Sequence, residues 1–243
     1  MRAIKVKFYQ QTAAFKYPFM GDHQLTYPLP PYSTIIGMIH TLCGWDTTHR
    51  FKVSLICNNE QLSKPSVVLD TGWIGGAHAF SLNKDFKDRW QIIVEDGVGG
   101  YFGYTRNITK QEILLDRYYT LHIYTDNEED FEKIYNSFQY PLVFPSLGRW
   151  EDLIVINEVK LVDVDNELSV GVLDGASWLP VEDNPILCES CSVWVIKTYY
   201  KRIGFSDNFV GRRKFEYKRC YLGGRGTMTS YKIDSDGEQV VLV

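Results

Sequence analysis

The sequence lacks the features that define membrane, secreted and disulfide-rich proteins. No apolar run approaches the about 18 residues that a bilayer-spanning helix needs. The first ten residues alternate like a β-strand and do not resemble a signal peptide. The five cysteines are scattered and odd in number, which does not indicate a disulfide framework. We therefore expect a cytoplasmic protein with reduced core thiols and no membrane partner.

The sequence also lacks the common phosphate and metal motifs. It contains no Gly-Lys-Ser/Thr phosphate loop, and the glycine cluster at 97–103 has Phe102 where a dinucleotide fingerprint needs glycine. Cys188-x-x-Cys191 has no second cysteine pair, and no histidine follows His122 to complete four ligands. We therefore expect no cofactor, no metal ion and no nucleotide hydrolysis.

Charge is distributed very unevenly along the chain. The net charge is -4, but residues 197–232 hold ten Lys or Arg against two acids, whereas residues 151–190 hold ten acids against Lys160. This pattern is typical of a protein that binds a polyanion with one face and protein partners with another. The alternative is a coincidence of solvated surfaces.

Hydrophobic periodicity predicts an α+β protein. With 44% hydrophobic residues, the 243-residue chain has ample material for a core. Ile4, Val6 and Phe8 alternate with Lys5 and Lys7 in a half-buried first strand. Strands and helices then give the order β-α-β-β-α-β, the split βαβ unit of ferredoxin-like or RRM-type domains. The expected elements lie at 2–10, 33–43, 51–57, 111–125, 128–138 and 153–164.

Several boundaries have specific signals. Ser33 or Thr34 is the expected N-cap of the first helix, and Gly44 follows its end. Asp126 or Asn127 is the expected cap of the second helix. A glycine-rich excursion at 65–110 interrupts the domain, and residues 165–243 show short strands and no helical stripe. The predicted domains are therefore 1–164 and 165–243.

A first candidate ligand site precedes the first helix. Pro28, Pro30 and Pro31 stiffen the segment 26–32, which leads to a helix start whose free N–H groups suit a phosphate. Lys16 and Tyr17 lie in the preceding loop and either face a ligand or cover the helix. The alternative is a loop that enters an ordinary core helix.

A second candidate site lies between the second helix and the last strand. Gly148 lets a phosphate approach, Arg149 pairs with it and Trp150 stacks on a base. Arg106, just beyond the tip glycines of the excursion, is a further candidate phosphate contact. The alternatives are a turn with a solvated arginine and a core tryptophan, and an exposed loop charge at position 106.

Together these segments resemble the fifth CRISPR-associated protein family, of the RAMP superfamily. The resemblance covers about the first 155 residues. Gln111-Glu112-Ile113-Leu114 is similar to the family's Arg-Glu-Phe-Leu segment, with Gln111 in place of arginine, and residues 145–153 most resemble the type I-B branch. The other motifs are Tyr27-Pro28-x-Pro30-x-x-Ser33-x-x-x-Gly37 and Leu147-Gly148-Arg149.

The resemblance implies a non-catalytic subunit of a type I Cascade interference complex. Such a subunit caps the backbone filament and holds the 5′ handle of the CRISPR RNA (crRNA) in antiviral defence. Its RRM-like domain carries an extended β-hairpin thumb, here within 65–110, and a smaller C-terminal β-rich region, which in this chain carries the basic block. The implied partners are the crRNA, the backbone RAMP subunits, the large subunit and, indirectly, target DNA. The predicted RNA-binding residues are Lys16, Tyr17, Tyr27, Ser33, Thr34, Gly37, Arg106, Ser146, Leu147, Gly148, Arg149, Trp150, Arg212 and Arg213.

Two other function classes remain open. Members of the type I-C branch are metal-independent endoribonucleases that process precursor crRNA with a tyrosine, a lysine and a histidine. That Lys-His pair has no counterpart here, and we interpret His40 and His122 as structural side chains. A protein-only scaffold would instead direct the basic block at acidic partners, and loss of RNA at raised salt would argue against it.

Overall fold

The computed structural model describes residues 1–18, 23–58, 67–72, 78–80, 92–95, 101–104, 108–182, 192–203 and 212–243. Two compact units are present, one of Met1–Phe15, Tyr27–Pro65 and Leu114–Val243, the other of Lys16–Thr26 and Ser66–Ile113. The described part of the fold is strand-rich, with two helices. In chain order its elements are β1 (Arg2–Ala13), β2 (His23–Gln24), α1 (Tyr32–Cys43), β3 (Lys52–Cys57), β4 (Val67–Gly72), β5 (His78–Phe80), β6 (Ile92–Glu95), β7 (Tyr101–Tyr104), β8 (Ile108–Tyr124), α2 (Glu128–Gln139), β9 (Ile154–Asp163), β10 (Ser169–Val172), β11 (Ser177–Pro180), β12 (Val193–Ile203), β13 (Arg212–Gly223), β14 (Met228–Ile233) and β15 (Gln239–Val240).

The first unit is built on an antiparallel sheet in the order β3-β8-β1-β9. Helix α2 packs on β1 and β9 and also contacts α1. Alternating apolar residues of the central strands supply the core, as the periodicity predicted. Buried examples are Ile4, Val6, Phe8, Tyr119, Leu121 and Ile123. Leu115 follows the same alternation as Tyr119, Leu121 and Ile123, which predicts a core position, but it is 42% exposed, so that prediction is wrong.

The face of β1 that carries Lys5 differs from the prediction. Lys5 was expected on a solvent-facing side, but it is fully buried, with Nζ 2.7 Å from Asp234 Oδ2 and a further ion pair to Asp236. The C-terminal segment covers this face: Val240 packs with Ala3 in a buried apolar cluster. Strand alternation alone did not reveal this cover, because the covering residues are distant in sequence.

Helix α1 begins one residue earlier than expected and without a side-chain cap. Pro31 is the N-cap residue, and no side chain accepts a hydrogen bond from the first turn. Ser33 and Thr34 lie inside the helix, so the prediction that one of them caps it was wrong. The predicted end is confirmed, since Gly44 adopts a left-handed φ of 64° and its N–H bonds to the Thr41 carbonyl.

Helix α2 has the predicted cap. The Asn127 side chain accepts hydrogen bonds from the backbone N–H groups of Glu129 and Asp130. Acids fill the first turn, where the positive end of the helix dipole favours them. Phe131, Ile134 and Phe138 form its buried stripe.

The second unit contains strand pairs of its own. The Ile108–Ile113 part of β8 pairs with β4 in antiparallel fashion and with β2 in parallel fashion. Strands β5, β7 and β6 form a separate three-stranded sheet. Strands β4 to β7 therefore lie within the segment 65–110, which the sequence indicated as a glycine-rich excursion.

The region after β9 is built of strands, as expected, but β12 and β13 have 11 and 12 residues and are not short. Strands β10, β14 and β15 form one sheet and β11, β13 and β12 another. Cys43, Cys57 and Cys220 are buried free thiols, in agreement with the prediction, while Cys188 and Cys191 lie outside the described residues. None of the described helices is long and apolar enough to cross a membrane.

Candidate nucleic-acid interface

The second candidate site is a closed turn between α2 and β9. Ser146 forms an antiparallel bridge with Leu153, and the Leu147 N–H donates to the Asp152 carbonyl at 3.0 Å. The Leu147 side chain is fully buried and anchors the turn. The six residues from 147 to 152 are therefore held in one defined loop, which we call the Gly-Arg-Trp turn.

Gly148 is required by the protein's own backbone. Its φ is 108°, a region that disfavours residues with a side chain. A Cβ atom there would lie 2.9 Å from the Ala14 carbonyl oxygen and 3.2 Å from a ring carbon of Phe15. The close approach that the sequence indicated at Gly148 is thus an approach to the end of β1.

Asp152 is the centre of the turn's hydrogen bonds. Its carboxylate is fully buried and accepts from the Thr12 hydroxyl and the Ala14 N–H, each at 3.0 Å. Arg149 donates to the same group from Nε at 2.9 Å and from Nη2 at 2.7 Å. This two-point geometry fits a guanidinium to a carboxylate and ties the turn to β1.

The charge of Arg149 is satisfied within the turn. Glu151 pairs with Nη1 at 3.0 Å in addition to the bonds from Asp152, and the Arg149 side chain is 23% exposed. The hydrogen bonds to Asp152 raise the pKa of Arg149 above its ordinary value. Arg149 therefore braces the turn, which differs from the free phosphate-binding arginine that the sequence predicted.

Trp150 is the side chain that the braced turn presents. It is 86% exposed, so the alternative of a core tryptophan is wrong. Exposed apolar side chains also line the approach to the turn from α2, with Tyr140 at 78%, Leu142 at 94% and Phe144 at 89%. An indole held on a rigid turn offers both ring faces for stacking at little conformational cost.

Gln10 supports the turn from β1. It is fully buried, and its Nε2 donates to the Leu147 carbonyl at 2.7 Å and to the Asp152 carbonyl at 2.9 Å. Sequence reasoning missed both Gln10 and Asp152 as determinants of the turn. The Arg-x-x-Asp spacing of 149 and 152 was the available signal, whereas nothing local connects residue 10 to residue 147.

The proline segment before α1 is fixed to β11. The Tyr32 hydroxyl donates to the Trp178 carbonyl at 2.7 Å, and Trp178 Nε1 donates to the Pro30 carbonyl at 3.1 Å. Tyr27 is 5% exposed and packs against Trp178 and Trp194. Tyr27 is therefore a core residue, and its predicted role as a direct RNA contact needs correction.

The other residues predicted at this helix lie on α1 itself. Ser33 and Thr34 are half-buried in the first turn, where the Thr34 N–H is already bonded to the Pro31 carbonyl. Gly37 has open space where a Cβ would stand, and it lines a pocket with His40, Thr41 and Trp45 among others.

The remaining predicted residues lie in the second unit, outside the described residues or at the start of β13. Lys16, which is exposed, and Tyr17, which is half-buried, belong to the second unit, where Lys16 bridges to Thr26. Arg106 lies outside the described residues. Arg212 and Arg213 begin β13, and their backbone alone is described.

Three histidines with described side chains are engaged inside the first unit. His40 Nδ1 lies 2.8 Å from the Ile36 carbonyl, and burial lowers the pKa of His40. His49 uses Nδ1 with Asp130 at 2.8 Å and Nε2 with the Thr47 hydroxyl at 3.1 Å. The ring of His49 also stacks on Trp45, with centroids 4.0 Å apart.

The third histidine belongs to a possible cation site. Donor atoms of His122, Asp234 and Glu238 lie within 4.8 Å of one another. The ammonium group of Lys5 already lies 2.7 Å from Asp234 and 3.6 Å from Glu238, so a metal ion would have to displace it. This cluster is an internal ion-pair network around Lys5.

Comparison with known proteins decides the family. The family model described as CRISPR-associated protein (Cas_Cas5) matches residues 3–180. The chain belongs to this family. This RAMP-type family is the one that the sequence resembles. No curated protein matches the chain.

Two solved structures are similar to the chain over nearly its whole length. A chain of a structure described as a CRISPR RNA-guided surveillance complex is 13% identical, with a TM-score of 0.53 and coverage of 97% of this chain and 92% of that one. A CRISPR protein from Archaeoglobus fulgidus is 10% identical, with a TM-score of 0.43 and coverage of 99% and 98%. At these identities the first likeness supports the same mixed α/β fold.

Proposed function

We propose that the protein is a non-catalytic crRNA-binding subunit of a type I Cascade complex, of the I-B branch, in the cytoplasm. It caps the backbone filament and holds the 5′ handle of the crRNA. Membership of the CRISPR-associated family supports this role, and the exposed Trp150 on its braced turn is the observation that carries the proposed contact.

The fold details fit this proposal. The strand order β3-β8-β1-β9, with α1 after β1 and α2 after β8, supports a ferredoxin-like domain. We propose that the segment 65–110 contains the thumb. We also propose a division of the chain at about residue 164, with the C-terminal β-rich region following the RRM-like domain.

Trp150 and Arg149 have different roles in this proposal. Trp150 stacks on an unpaired base of the handle, because its indole is almost fully accessible. Arg149, through Asp152, keeps the turn rigid and thereby fixes the position of Trp150. The same turn contributes Ser146, Leu147 and Gly148 as its scaffold, and their effect on RNA is indirect.

The histidines support a role without catalysis. General base catalysis needs an imidazole nitrogen within reach of the substrate hydroxyl. Both nitrogens of His49 are occupied by Asp130 and Thr47, and His122 is fully buried. For the histidines whose side chains are described, the endoribonuclease alternative would therefore require a bond to break or a buried ring to become accessible when RNA binds.

Each proposed partner is assigned to an exposed surface of the protein. The crRNA takes the Trp150 side. The backbone RAMP subunits and the large subunit meet the remaining exposed faces, and target DNA is reached through the assembled complex. The exposed apolar stretch of Tyr140, Leu142 and Phe144 supports contacts with such subunits, since isolated soluble proteins rarely leave several large apolar side chains uncovered together.

The test is binding of labelled CRISPR repeat RNA to purified protein in EDTA, with binding and cleavage followed on the same gel. We expect bound, intact RNA. Trp150→Ala should weaken binding about tenfold, because base–aromatic stacking is worth about 1–3 kcal/mol. Phe144→Ala removes an equally exposed ring outside the turn and serves as the matched control.

Two results would count against the proposal. Equal affinity of the wild type and Trp150→Ala would remove the turn from the RNA site. Specific cleavage by the wild type, lost in His49→Ala, would make the protein the processing enzyme. Binding that appears only when the neighbouring subunits are co-expressed would keep the role and assign the site to the assembled complex.

A further inference from the structure

The basic block found in the sequence is concentrated on one β-hairpin. Strands β12 and β13 pair in antiparallel fashion and hold eight Lys or Arg residues, against Glu216 as their single acid. The whole chain carries a net charge of -4, so this hairpin opposes the charge of the rest of the molecule. Such a local reversal of sign marks a surface for a polyanion.

The register places cations opposite one another. Lys201 pairs with Lys214 and Arg202 with Arg213 on neighbouring strands. Like charges directly opposite each other destabilise a strand pair. The register therefore concentrates cationic positions on the paired strands.

One face of the hairpin combines cations with the exposed ring of Tyr217 and the half-buried ring of Phe215. Ile196 and Cys220 are fully buried on the inner face, so the residues that alternate with them point outward. On that outer face Lys197 pairs with Tyr217 and Val195 with Arg219. Tyr217 is 58% exposed, Val195 is 55% exposed, and Arg219 is also exposed.

The cations of this face are available to a ligand. Neither Lys197 nor Arg219 forms an ion pair with a carboxylate among the residues whose side chains are described. Lys197 Nζ instead lies 4.7 Å from the centre of the Phe215 ring. Glu216 lies on the opposite face of β13 and pairs there with Arg50.

We propose that this outer face binds single-stranded nucleic acid of any sequence, at a site separate from the Gly-Arg-Trp turn. Bases stack on Tyr217 and Phe215, and phosphates pair with Lys197 and Arg219. Aromatic rings interleaved with unpaired cations on an open sheet face suit a single strand, because every base has a ring face to stack while the backbone follows the charges. The proposal does not depend on binding of the 5′ handle.

The test measures fluorescence anisotropy of labelled oligouridylate and oligothymidylate with the full-length protein. Tyr217→Ala should weaken binding about tenfold, and Tyr217→Phe should retain it, since stacking needs the ring and not the hydroxyl. Arg219→Gln should make the decrease of log affinity with log salt concentration less steep, by about the contribution of one phosphate contact. Tyr140→Ala, which removes a more exposed ring elsewhere, is the control, and unchanged thermal unfolding shows that each variant is folded.

The outcomes separate this site from others. A preference for one homopolymer identifies the natural strand as RNA or DNA. The proposal would be overturned if Tyr217→Ala kept wild-type affinity or if the wild type bound neither homopolymer. It would also be overturned if polyglutamate displaced the labelled strand as effectively per charge as unlabelled oligonucleotide does, since that result would indicate an acidic protein partner.

Discussion

Arg149 and Asp152 form a two-point ion pair across the Gly-Arg-Trp turn, with Nε–Oδ2 and Nη2–Oδ1 distances of 2.9 and 2.7 Å. The carboxylate also accepts from Thr12 on β1 and from Ala14, which directly follows β1. Because this pair fixes the turn, Arg149, which was predicted to contact RNA, also determines the position of the neighbouring Trp150. Its disruption should affect stability and RNA binding together.

The first prediction concerns Asp152→Asn. The change keeps the size of the side chain but leaves Arg149 without its buried counter-charge, so we expect a loss of about 2–3 kcal/mol in the free energy of unfolding. Urea unfolding measures this loss. Glu151→Gln removes the more exposed partner of the same arginine and should cost less than about 1 kcal/mol. Equal losses in the two variants would contradict the central position of Asp152.

The second prediction separates a steric clash from backbone strain. Gly148→Ala combines a left-handed φ with a 2.9 Å approach to the Ala14 carbonyl. Gly226→Ala has a similar φ of 92° but nothing within 4 Å of the added Cβ. We expect about 1–2 kcal/mol of destabilisation for Gly226→Ala from strain alone and clearly more for Gly148→Ala. Thermal unfolding of both variants measures the difference, and the reverse order would refute the close approach.

The third prediction contrasts the two helix starts. Asn127→Ala should destabilise the protein by about 1 kcal/mol, because two N–H groups of α2 lose their acceptor. Ser33→Ala should change stability little, since no side chain caps α1. Chemical denaturation of both variants is the measurement. A large loss in Ser33→Ala would restore the cap that the sequence predicted.

The fourth prediction is a dependence of stability on acid. Burial by itself would raise the pKa of Asp234, but the hydrogen bonds from His122 and Lys5 outweigh it and hold that pKa well below its ordinary value. A carboxyl with a depressed pKa in the folded state stabilises the protein above its unfolded pKa of about 4 and loses this contribution as pH falls further. We therefore expect the free energy of unfolding to decline below about pH 4.

The matched variant for this dependence is Asp234→Asn. It cannot ionise, so its stability should be lower at neutral pH and should change less between about pH 4 and pH 2. Denaturant midpoints measured across that range give both curves. Parallel curves for the variant and the wild type would show that Asp234 does not carry the acid dependence.

Local sequence signals determined much of the framework. The apolar stripe of α2, its Asn127 cap and the Gly44 end of α1 were all predicted, because each depends on residues within a few positions of one another. Alternation also located the central strands to within a few residues, since side chains on one face of a strand recur every second position.

Tertiary structure alone decided the environment of each side chain. Tyr27 was predicted at the RNA surface, but it packs against Trp178 and Trp194, more than a hundred positions away. The same applies to the Gly-Arg-Trp turn: its residues were identified from the sequence, yet Gln10, Ala14 and Asp152 determine its shape. Periodicity indicates the face of a strand or helix on which a residue lies. The burial of that face and its charge pairing depend on the distant segment that covers it.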